Sequence, residues 1–461
     1  MRSNKVNVTE GPIWSNMLSY FGALLLGAFF QQFYNTIDAV IVGRAVSSDA
    51  LGAVGGSAAM VVNLFVGFFL GLSSGATVVI SQFFGARKKD AVEKSVHTAI
   101  FLAIAGGVVI TIIGFIITPS ILRAMNTPAE QLEASILYLR IYFLGMVANL
   151  VYNMGAGILR AVGDSRRPLI VLVISCFANI ALDVFFVIGL GLGERGDTYG
   201  VVGVAVATIL CQLISAVIVV IMLMRSEASY KLILKNIRPD GGMLTKIVQI
   251  GLPAGFQTTM YTISNVLIQT SINQFGKDAT AAWAAYGKID VLFWMTISSL
   301  GTSVTTFAGQ NFGAGNYKRV RDSVKWGFII ATAISVPLSI FLFFRGELLL
   351  KIFLTDKAVI DIGIQMIRFL APFYITYIAV EILSGALRGM GDALIPMLIT
   401  LSGICILRVG WILFALPLNR TIEMLETSYP LTWITTSVLF LGYYIIYLRR
   451  KNIKRTHFKV K

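Results

Sequence analysis

Acidic and amide side chains stand at helical spacing inside segments that are otherwise apolar. Gln31, Asn35 and Asp38 lie at i, i+4 and i+7 on one helical face, and Asn179 and Asp183 lie four residues apart on another. Two carboxylates that come close together cannot both ionise cheaply, so they could share a proton. With the amide oxygen of Asn179 they could instead bind Na⁺. The pattern predicts a cation-exchanging group, and a static hydrogen-bonded pair is the alternative.

A second constellation joins one acid to two large aromatic side chains. Trp283, Gly287, Asp290 and Trp294 follow one another at i, i+4, i+7 and i+11, so they share a helical face. A carboxylate between two aromatic rings suits a lipophilic cation, which gains charge pairing and a cation–π contact of about 0.5–2 kcal/mol. The pattern predicts contact with a cationic substrate.

Ion pairing offers a structural alternative for the same acid. Arg408 could neutralise Asp290, and Lys288 could pair with Glu381. Charges in apolar surroundings persist when they are paired, solvated or used in function, so both interpretations stay open. The candidates for substrate contact are Gln31, Asn35, Gln257, Trp283, Asp290, Trp294, Glu381 and Arg408.

The elements that must position these residues are membrane helices. Of 461 residues, 56% are hydrophobic and 13% are charged, against about 25% charged residues in a typical soluble protein. Apolar blocks long enough to span a bilayer, about 20 residues, recur along the chain. An all-α integral membrane protein follows, and a soluble enzyme, a nucleic-acid binder and a secreted disulfide scaffold are excluded. Twelve spans are predicted, at about 14–43, 52–82, 96–118, 134–159, 168–192, 200–224, 247–275, 279–308, 324–346, 362–387, 394–417 and 430–448.

The basic residues indicate the orientation of these spans. With the amino terminus in the cytoplasm, 26 of the 38 Lys and Arg residues fall in cytoplasmic segments, 8 in outside loops and 4 within spans. Cytoplasmic loops of membrane proteins carry such an excess. We therefore predict a multi-pass protein of the cytoplasmic membrane, with both termini cytoplasmic and membrane lipids as partners. The net charge of +15 then reflects topology.

Two loop motifs occur twice at one offset. The sequence GILRAVGD at 157–164 returns as GALRGMGD at 385–392, and QFFGA at 82–86 returns as QNFGA at 310–314, each 228 residues later. Two matches at one offset indicate duplication of a six-helix unit. Because six is even, the copies insert in the same orientation, as two bundles related by a pseudo-twofold axis along the membrane normal.

The duplication also sets the predicted domains. These are a six-helix lobe at 1–225, a cytoplasmic linker at 226–246, a second six-helix lobe at 247–448 and a basic cytoplasmic tail at 449–461. The motif residues are expected mainly to cap helices, with Gly after a helix end and Arg near its carbonyl groups. They are Gly85, Arg160, Gly163, Asp164, Gly313, Arg388, Gly391 and Asp392.

The chain resembles the bacterial multidrug and toxic compound extrusion (MATE) transporters. The resemblance rests on the two sets of six spans, the paired L-R-x-x-G-D and Q-x-F-G-A loops, and Asp38, Asn179 and Asp183 in the first and fifth spans. It implies cation-coupled export of bulky, often cationic and lipophilic compounds by alternating access, through a V-shaped cavity between the lobes. It also implies that these three residues form a cation site in the amino-terminal lobe.

The second lobe departs from the pattern of sodium-coupled members. Those often have a Glu in the seventh span and an Asp in the tenth. Here one face of the seventh span carries only uncharged polar residues, among them Thr258 and Asn265, and the acid of the tenth span, Glu381, stands in another register. A sodium site in this lobe is therefore not expected.

Other classes of function lack their motifs. The sequence contains no phosphate-binding loop G-x-x-x-x-G-K-[ST], and its two histidines, His97 and His457, cannot build a His-based metal site. We expect no enzyme activity, no cofactor, no metal and no nucleic-acid partner. The expected protein is a monomer that carries H⁺ or Na⁺ and small cationic substrates. The alternative is a flippase of the same superfamily for a lipid-linked glycan or another amphipathic lipid, which should have a cationic cavity.

Overall fold

Twelve long helices follow one another in the part of the chain that the structure describes. The computed structural model describes residues 6–450, and every regular element among them is helical. The predicted basic tail, apart from residues 449 and 450, lies outside the described residues. The helices are α1 Ile13–Ala45, α2 Ser48–Gly85, α3 Lys89–Ala124, α4 Ala129–Leu144 with Met146–Ala161, α5 Arg166–Gly189, α6 Asp197–Met224, α7 Gly241–Asn273, α8 Lys277–Gly313, α9 Tyr317–Phe353, α10 Lys357–Gly389, α11 Leu394–Leu418 and α12 Ile422–Arg450.

Eleven of these twelve helices are long and apolar enough for membrane spans by length and composition. Ten of the helices in the described part qualify singly, and the two segments of α4, which meet at a bend of 51°, make an eleventh span together. α7 has 33 residues, which corresponds to roughly 50 Å of helix against about 30 Å of hydrocarbon. Its polar residues lower its mean hydropathy. The prediction of an all-α membrane protein with twelve spans is confirmed.

The helix boundaries repeat with the period of the loop motifs. α1 and α7 start 228 residues apart and end 228 residues apart, and the starts of α3 and α9, α4 and α10, and α5 and α11 keep the same offset. The turns repeat as well, since Gly163 and Gly391 have φ of +86° and +94°. A positive φ favours glycine because it has no Cβ.

The motif acids cap the helices that follow these turns. Asp164 accepts a hydrogen bond from the Arg167 backbone N–H at 3.1 Å and pairs with its side chain at 3.3 Å. Asp392 accepts from the Ile395 backbone N–H at 3.5 Å. These residues therefore shape the connections between helices.

The helices are divided between two compact units. The first contains Val6 and Gly22–Gly255, and the second contains Asn7–Phe21 and residues 256–450. In the first unit α4 packs on α2, α3 and α6, and in the second its repeat partner α10 packs on α8, α9 and α12. The predicted lobes at 1–225 and 247–448 follow the repeat, whereas the compact units divide each repeat's first helix. α1 passes from one unit to the other after Phe21, and α7 does so after Gly255.

Each unit has its own apolar core. Leu139 and Phe143 are buried in the first unit, and Phe293 and Phe307 are buried in the second. Many apolar side chains point outward, such as Phe344 at 71% exposure. Lipid tails match such a surface, which in water would be a large apolar patch.

Candidate functional site

Asp38, Asn179 and Asp183 come together in the first unit. α1 approaches α5 closely at Gly27, where a Cβ would lie 2.9 Å from Leu172 Cδ1. Asp183 is 0% exposed and Asn179 1% exposed, and Asp38 is partly buried. Asp183 ends the α-helical part of α5, and a π-helical turn, Val184–Gly189, follows it. Such turns interrupt regular packing and occur often at functional sites.

The three side chains contact one another directly. With its amide oriented by the hydrogen-bond pattern, Asn179 donates from nitrogen to Asp38 Oδ1 at 2.8 Å and to Oδ2 at 3.2 Å. The Asp38 and Asp183 carboxyl groups lie within hydrogen-bond reach of each other. Neither oxygen of Asp183 has a donor in the described part of the chain. A proton held between the two carboxyl groups would give Asp183 its missing partner.

Hydroxyl and thiol groups connect α5 to α6 at Ser175, one helical turn before Asn179 in α5. The Ser175 and Ser215 hydroxyls are hydrogen-bonded to each other, and the Cys211 thiol donates to the Ser175 carbonyl at 3.0 Å. Ser215 also donates to the Cys211 carbonyl at 2.8 Å. Because these groups bond to one another, they fix α5 against α6 and so fix the position of Asn179 and Asp183.

Tyrosines from α4 complete the surroundings of the acids. The Tyr138 phenol is close enough to Asp38 and Asp183 to interact with both charges. Tyr142, one turn further, is hydrogen-bonded to Gln212 of α6. These residues were not predicted from the sequence, although tyrosines four residues apart in an apolar span indicate a polar helical face.

The acidic pair has no basic partner in the part of the chain that the structure describes. Among residues 6–450, no Lys or Arg forms an ion pair with Asp38 or Asp183. The same part of the chain has no group of three or more His, Cys, Asp and Glu side chains that could hold a metal ion. The arrangement suits one small monovalent cation: a proton between the carboxyl groups or, with the Asn179 amide rotated so that its oxygen faces the acids, Na⁺ among the carboxylate and amide oxygens.

In the second unit, hydrogen-bond donors and aromatic rings surround the Asp290 side chain. We call this group the Asp290 box; it consists of Asp290, Trp283, Tyr286, Phe293, Trp294, Tyr374 and Trp433. The Tyr374 hydroxyl donates to Oδ1 at 2.5 Å, and the Trp294 indole donates to Oδ2 at 2.6 Å. Tyr286 also hydrogen-bonds to Asp290, and its hydroxyl lies 3.1 Å from that of Tyr374. Three neutral donors thus stabilise the carboxylate without removing its charge.

The rings of this box pack on one another. Tyr374 is stacked on Phe293, with centroids 4.2 Å apart, and Trp433 lies edge-on to Trp294 at 6.1 Å. Trp283 lies 5.2 Å from Tyr286. Asp290, Trp283 and Trp294 keep part of their surface exposed. The box therefore combines a fixed negative charge with π faces, which suits an organic cation.

The two ion pairs considered from the sequence do not form in the described residues. Arg408 is 2% exposed; it donates to Thr432 Oγ1 at 3.2 Å and lies 4.3 Å above the Tyr429 ring. Glu381 lies against Gly301, where a Cβ would be 2.3 Å from Oε1, and the Lys288 side chain is exposed. Helical periodicity could not show these partners, because the rotation and register of neighbouring helices decide them.

The remaining candidates take no part in the hydrogen bonds of Asp38 or Asp290 in the described residues. Gln31 and Asn35 are exposed on α1, next to Asp38 along the same helical face. Gln257 of α7 donates to Thr400 Oγ1 of α11 at 2.8 Å.

A duplicated bundle of membrane helices, with acids that have no ion-pair partner in the described part of the chain, is typical of a membrane transporter. A family model described as MatE matches residues 23–185 and 253–412, one stretch in each repeat. The chain belongs to this family, the MATE transporters, so it is a multidrug efflux transporter of the membrane that acts on small molecules and is not an enzyme. The predicted membership of the MATE family is confirmed.

Individual relatives agree with this assignment. The probable multidrug resistance protein YoeA of Bacillus subtilis (strain 168) is 28% identical over 455 residues, 97% of this chain and 96% of the relative. The probable multidrug resistance protein NorM of Thermotoga maritima is 28% identical over 329 residues, 71% of this chain and 70% of the relative. A solved structure of a MOP superfamily transporter from Pyrococcus furiosus Vc1 (DSM3638) shares the fold, with a TM-score of 0.89 at 22% identity, over 99% of this chain and 100% of that one.

Proposed function

We propose that the protein is a cation-coupled antiporter of the cytoplasmic membrane that exports structurally diverse, often cationic lipophilic compounds by alternating access. Asp38, Asn179 and Asp183 carry the coupling ion, H⁺ or Na⁺. Asp290 and the aromatic rings around it recognise the positive charge of the cargo. Both termini lie in the cytoplasm, the protein acts as a monomer, and its surroundings are membrane lipids.

The main support for assigning ion coupling to this site is the buried Asp183 carboxyl group, which has no hydrogen-bond donor in the described residues. This carboxyl group is fully buried and lies beside a second acid. Two ionised carboxylates in such surroundings repel each other and lose their hydration. A cation that enters relieves both effects and one that leaves restores them, so the loaded and empty states differ in free energy. That difference is what an antiporter needs to link ion movement to a change of conformation.

The two repeats carry different polar clusters. At the offset of 228, the counterparts of Asp38, Asn179 and Asp183 are Val266, Leu407 and Trp411, none of which has an oxygen ligand. The counterparts of Asp290, Trp294 and Tyr374 are Val62, Val66 and Met146. Each polar cluster therefore exists in one unit only, which supports ion coupling in the first and cargo recognition in the second.

The Asp290 box supports a cationic cargo more than an anionic one. Its carboxylate has neutral donors and no ion-pair partner in the described part of the chain. A lipophilic cation would gain the charge and the ring faces together. A lipid-linked glycan with a pyrophosphate would be repelled by Asp290. Gln31, Asn35, Gln257, Glu381 and Arg408 remain candidates for further cargo contacts.

Replacing Asp38 by Asn tests the coupling assignment. Asn has the size of Asp but binds no proton and carries no charge, so active efflux of ethidium from cells should be lost while the protein stays folded in the membrane. Glu133→Gln, which neutralises an exposed acid of the same unit, should leave efflux unchanged. Normal ethidium efflux by the Asp38→Asn protein would contradict the assignment. Glycolipid flipping in vesicles, with no ethidium efflux, would identify the protein as a flippase.

A further inference from the structure

Within the first unit, the backbone of the first half of α7 is in close contact with the backbone of α2. A methyl group on Gly71 would lie 2.3 Å from Gly255 N, and one on Gly75 would lie 2.5 Å from Gly251 N. Both helices thus present a G-x-x-x-G pair, which allows two backbones to approach closely in a membrane. The contact has no interlocking side chains at these four positions, so the helices can separate without rotamer changes there.

The linker that precedes α7 is fixed to the start of α3 by specific hydrogen bonds. His97 accepts the Ile233 backbone N–H on Nε2 at 3.0 Å, while its Nδ1 lies 2.7 Å from the Glu93 carbonyl. Since a carbonyl oxygen only accepts, Nδ1 carries the proton and Nε2 is the acceptor. Thr98 Oγ1 accepts the Asp240 backbone N–H at 3.0 Å. His97 is 3% exposed and Thr98 0% exposed.

Side chains add to this attachment on both sides of the α7 start. Lys94 Nζ lies 3.8 Å from Asp240 Oδ2, and Ser95 Oγ donates to Met243 Sδ at 3.2 Å. Lys246 Nζ lies 4.9 Å from the centre of the Phe83 ring. Residues 233–255 therefore dock continuously on α2 and α3, and α7 then continues into the second unit.

The amino-terminal segment is attached in a related way within the second unit. Arg319 donates from Nη1 to the Gly11 carbonyl at 2.9 Å and from Nη2 to the Val8 carbonyl at 3.2 Å. Asn311 Nδ2 also donates to the Val8 carbonyl, at 3.1 Å. Each repeat thus begins with a segment held by side chains on the helices of a compact unit, although the residues that hold it differ.

We propose that residues 233–255 are a latch, docked on α2 and α3 in one state of the transport cycle and released in the other. The proposal rests on the alternating-access function above. α7, like α1, continues from one unit into the other, so a conformational change in either unit acts on it. Hydrogen bonds fix the start of the docked segment, at Ile233 and Asp240, and a glycine-to-glycine backbone contact continues along α7. The hydrogen bonds stabilise the docked position, and the glycine contact can separate without a change of side-chain rotamers at these glycines.

Hydrogen exchange on the full-length protein in lipid nanodiscs tests whether the anchors hold the latch. Thr98→Val removes the acceptor of the Asp240 N–H at nearly constant volume, and Thr98→Ser keeps it. In the valine variant the backbone amides of 233–243 should exchange at least about tenfold faster. In the serine variant they should stay within about threefold of wild type. Equal protection in all three proteins would overturn the proposal, and this readout does not depend on transport or coupling.

Cross-linking tests whether release is needed for transport. A Lys94→Cys/Asp240→Cys variant, made with the buried Cys176, Cys211 and Cys405 left in place, is joined by a short cleavable thiol reagent. Ethidium transport should fall at least tenfold and return on cleavage, and each single-cysteine variant treated alike should stay active. Undiminished transport by the cross-linked protein would overturn the latch. If wild type shows no ion coupling while exchange and cross-linking behave as stated, the latch stands and the coupling proposal fails.

Discussion

Asp290→Asn separates recognition of charge from recognition of shape. The carbonyl oxygen of Asn can still accept from Tyr374, which donates to Oδ1 in the wild type. Its amide nitrogen would face the Trp294 indole N–H, which donates to Oδ2, so one hydrogen bond and the whole negative charge are lost. The aromatic rings, among them the Tyr374–Phe293 stack, remain.

The size of the effect follows from the lost charge. A charge-assisted hydrogen bond contributes about 1.5–3 kcal/mol, which corresponds to roughly a 10- to 150-fold rise in Kd for a cationic ligand. The ring contacts, with their cation–π contribution of about 0.5–2 kcal/mol, persist in the variant. An uncharged ligand of the same ring system should therefore bind within about threefold of wild type.

Equilibrium dialysis on purified protein in nanodiscs measures the difference. Ethidium is the cation, and phenanthridine, its uncharged parent ring system, is the matched neutral ligand. Glu347→Gln serves as the control variant because it neutralises an exposed acid that pairs with Lys351 at 2.7 Å, and both ligands should bind it as they bind wild type. An equal loss of both ligands in Asp290→Asn would refute the reasoning and assign Asp290 a structural role.

Two further predictions concern charge and backbone. Arg408→Met should tighten ethidium binding several-fold, because it removes a buried cation that lies over the Tyr429 ring, and Tyr429 also interacts electrostatically with Asp290. Arg408→Lys keeps the positive charge and should not tighten binding. Weaker ethidium binding by the methionine variant would contradict this prediction. Gly391→Ala should lower the Tm in fluorescence-detected thermal unfolding, because φ there is +94° and a side chain in that region costs about 1–2 kcal/mol. Gly442→Ala, in open space on α12, is its control and should be neutral or slightly stabilising; equal Tm changes in the two variants would count against the strained turn.

Periodicity and repetition were enough to predict the architecture. A helix places residues four and seven apart on one face whatever its surroundings, so the stripe that ends at Asp38 and the pair Asn179 and Asp183 were visible in the sequence. The offset of the loop motifs predicted the duplication that the boundaries of α1 and α7 repeat.

Contacts between helices could not be predicted in this way. Whether Arg408 meets Asp290 or Tyr429 depends on how α8, α11 and α12 are rotated against one another, and no local pattern reports that rotation. The donors Tyr286 and Tyr374 come to Asp290 from its own helix and from α10 respectively. The docking of Ile233 on His97 joins residues 136 positions apart, and the sequence showed only a basic linker.

Transport in proteoliposomes under a pH gradient or a Na⁺ gradient, imposed separately, tests the central claim most directly. Wild-type protein should drive ethidium against its concentration gradient under at least one of the two gradients. The Asp38→Asn and Asp183→Asn proteins should do so under neither gradient. Uphill ethidium transport by either variant at the wild-type rate, or wild-type transport that responds to neither gradient, would contradict cation coupling through this acidic pair.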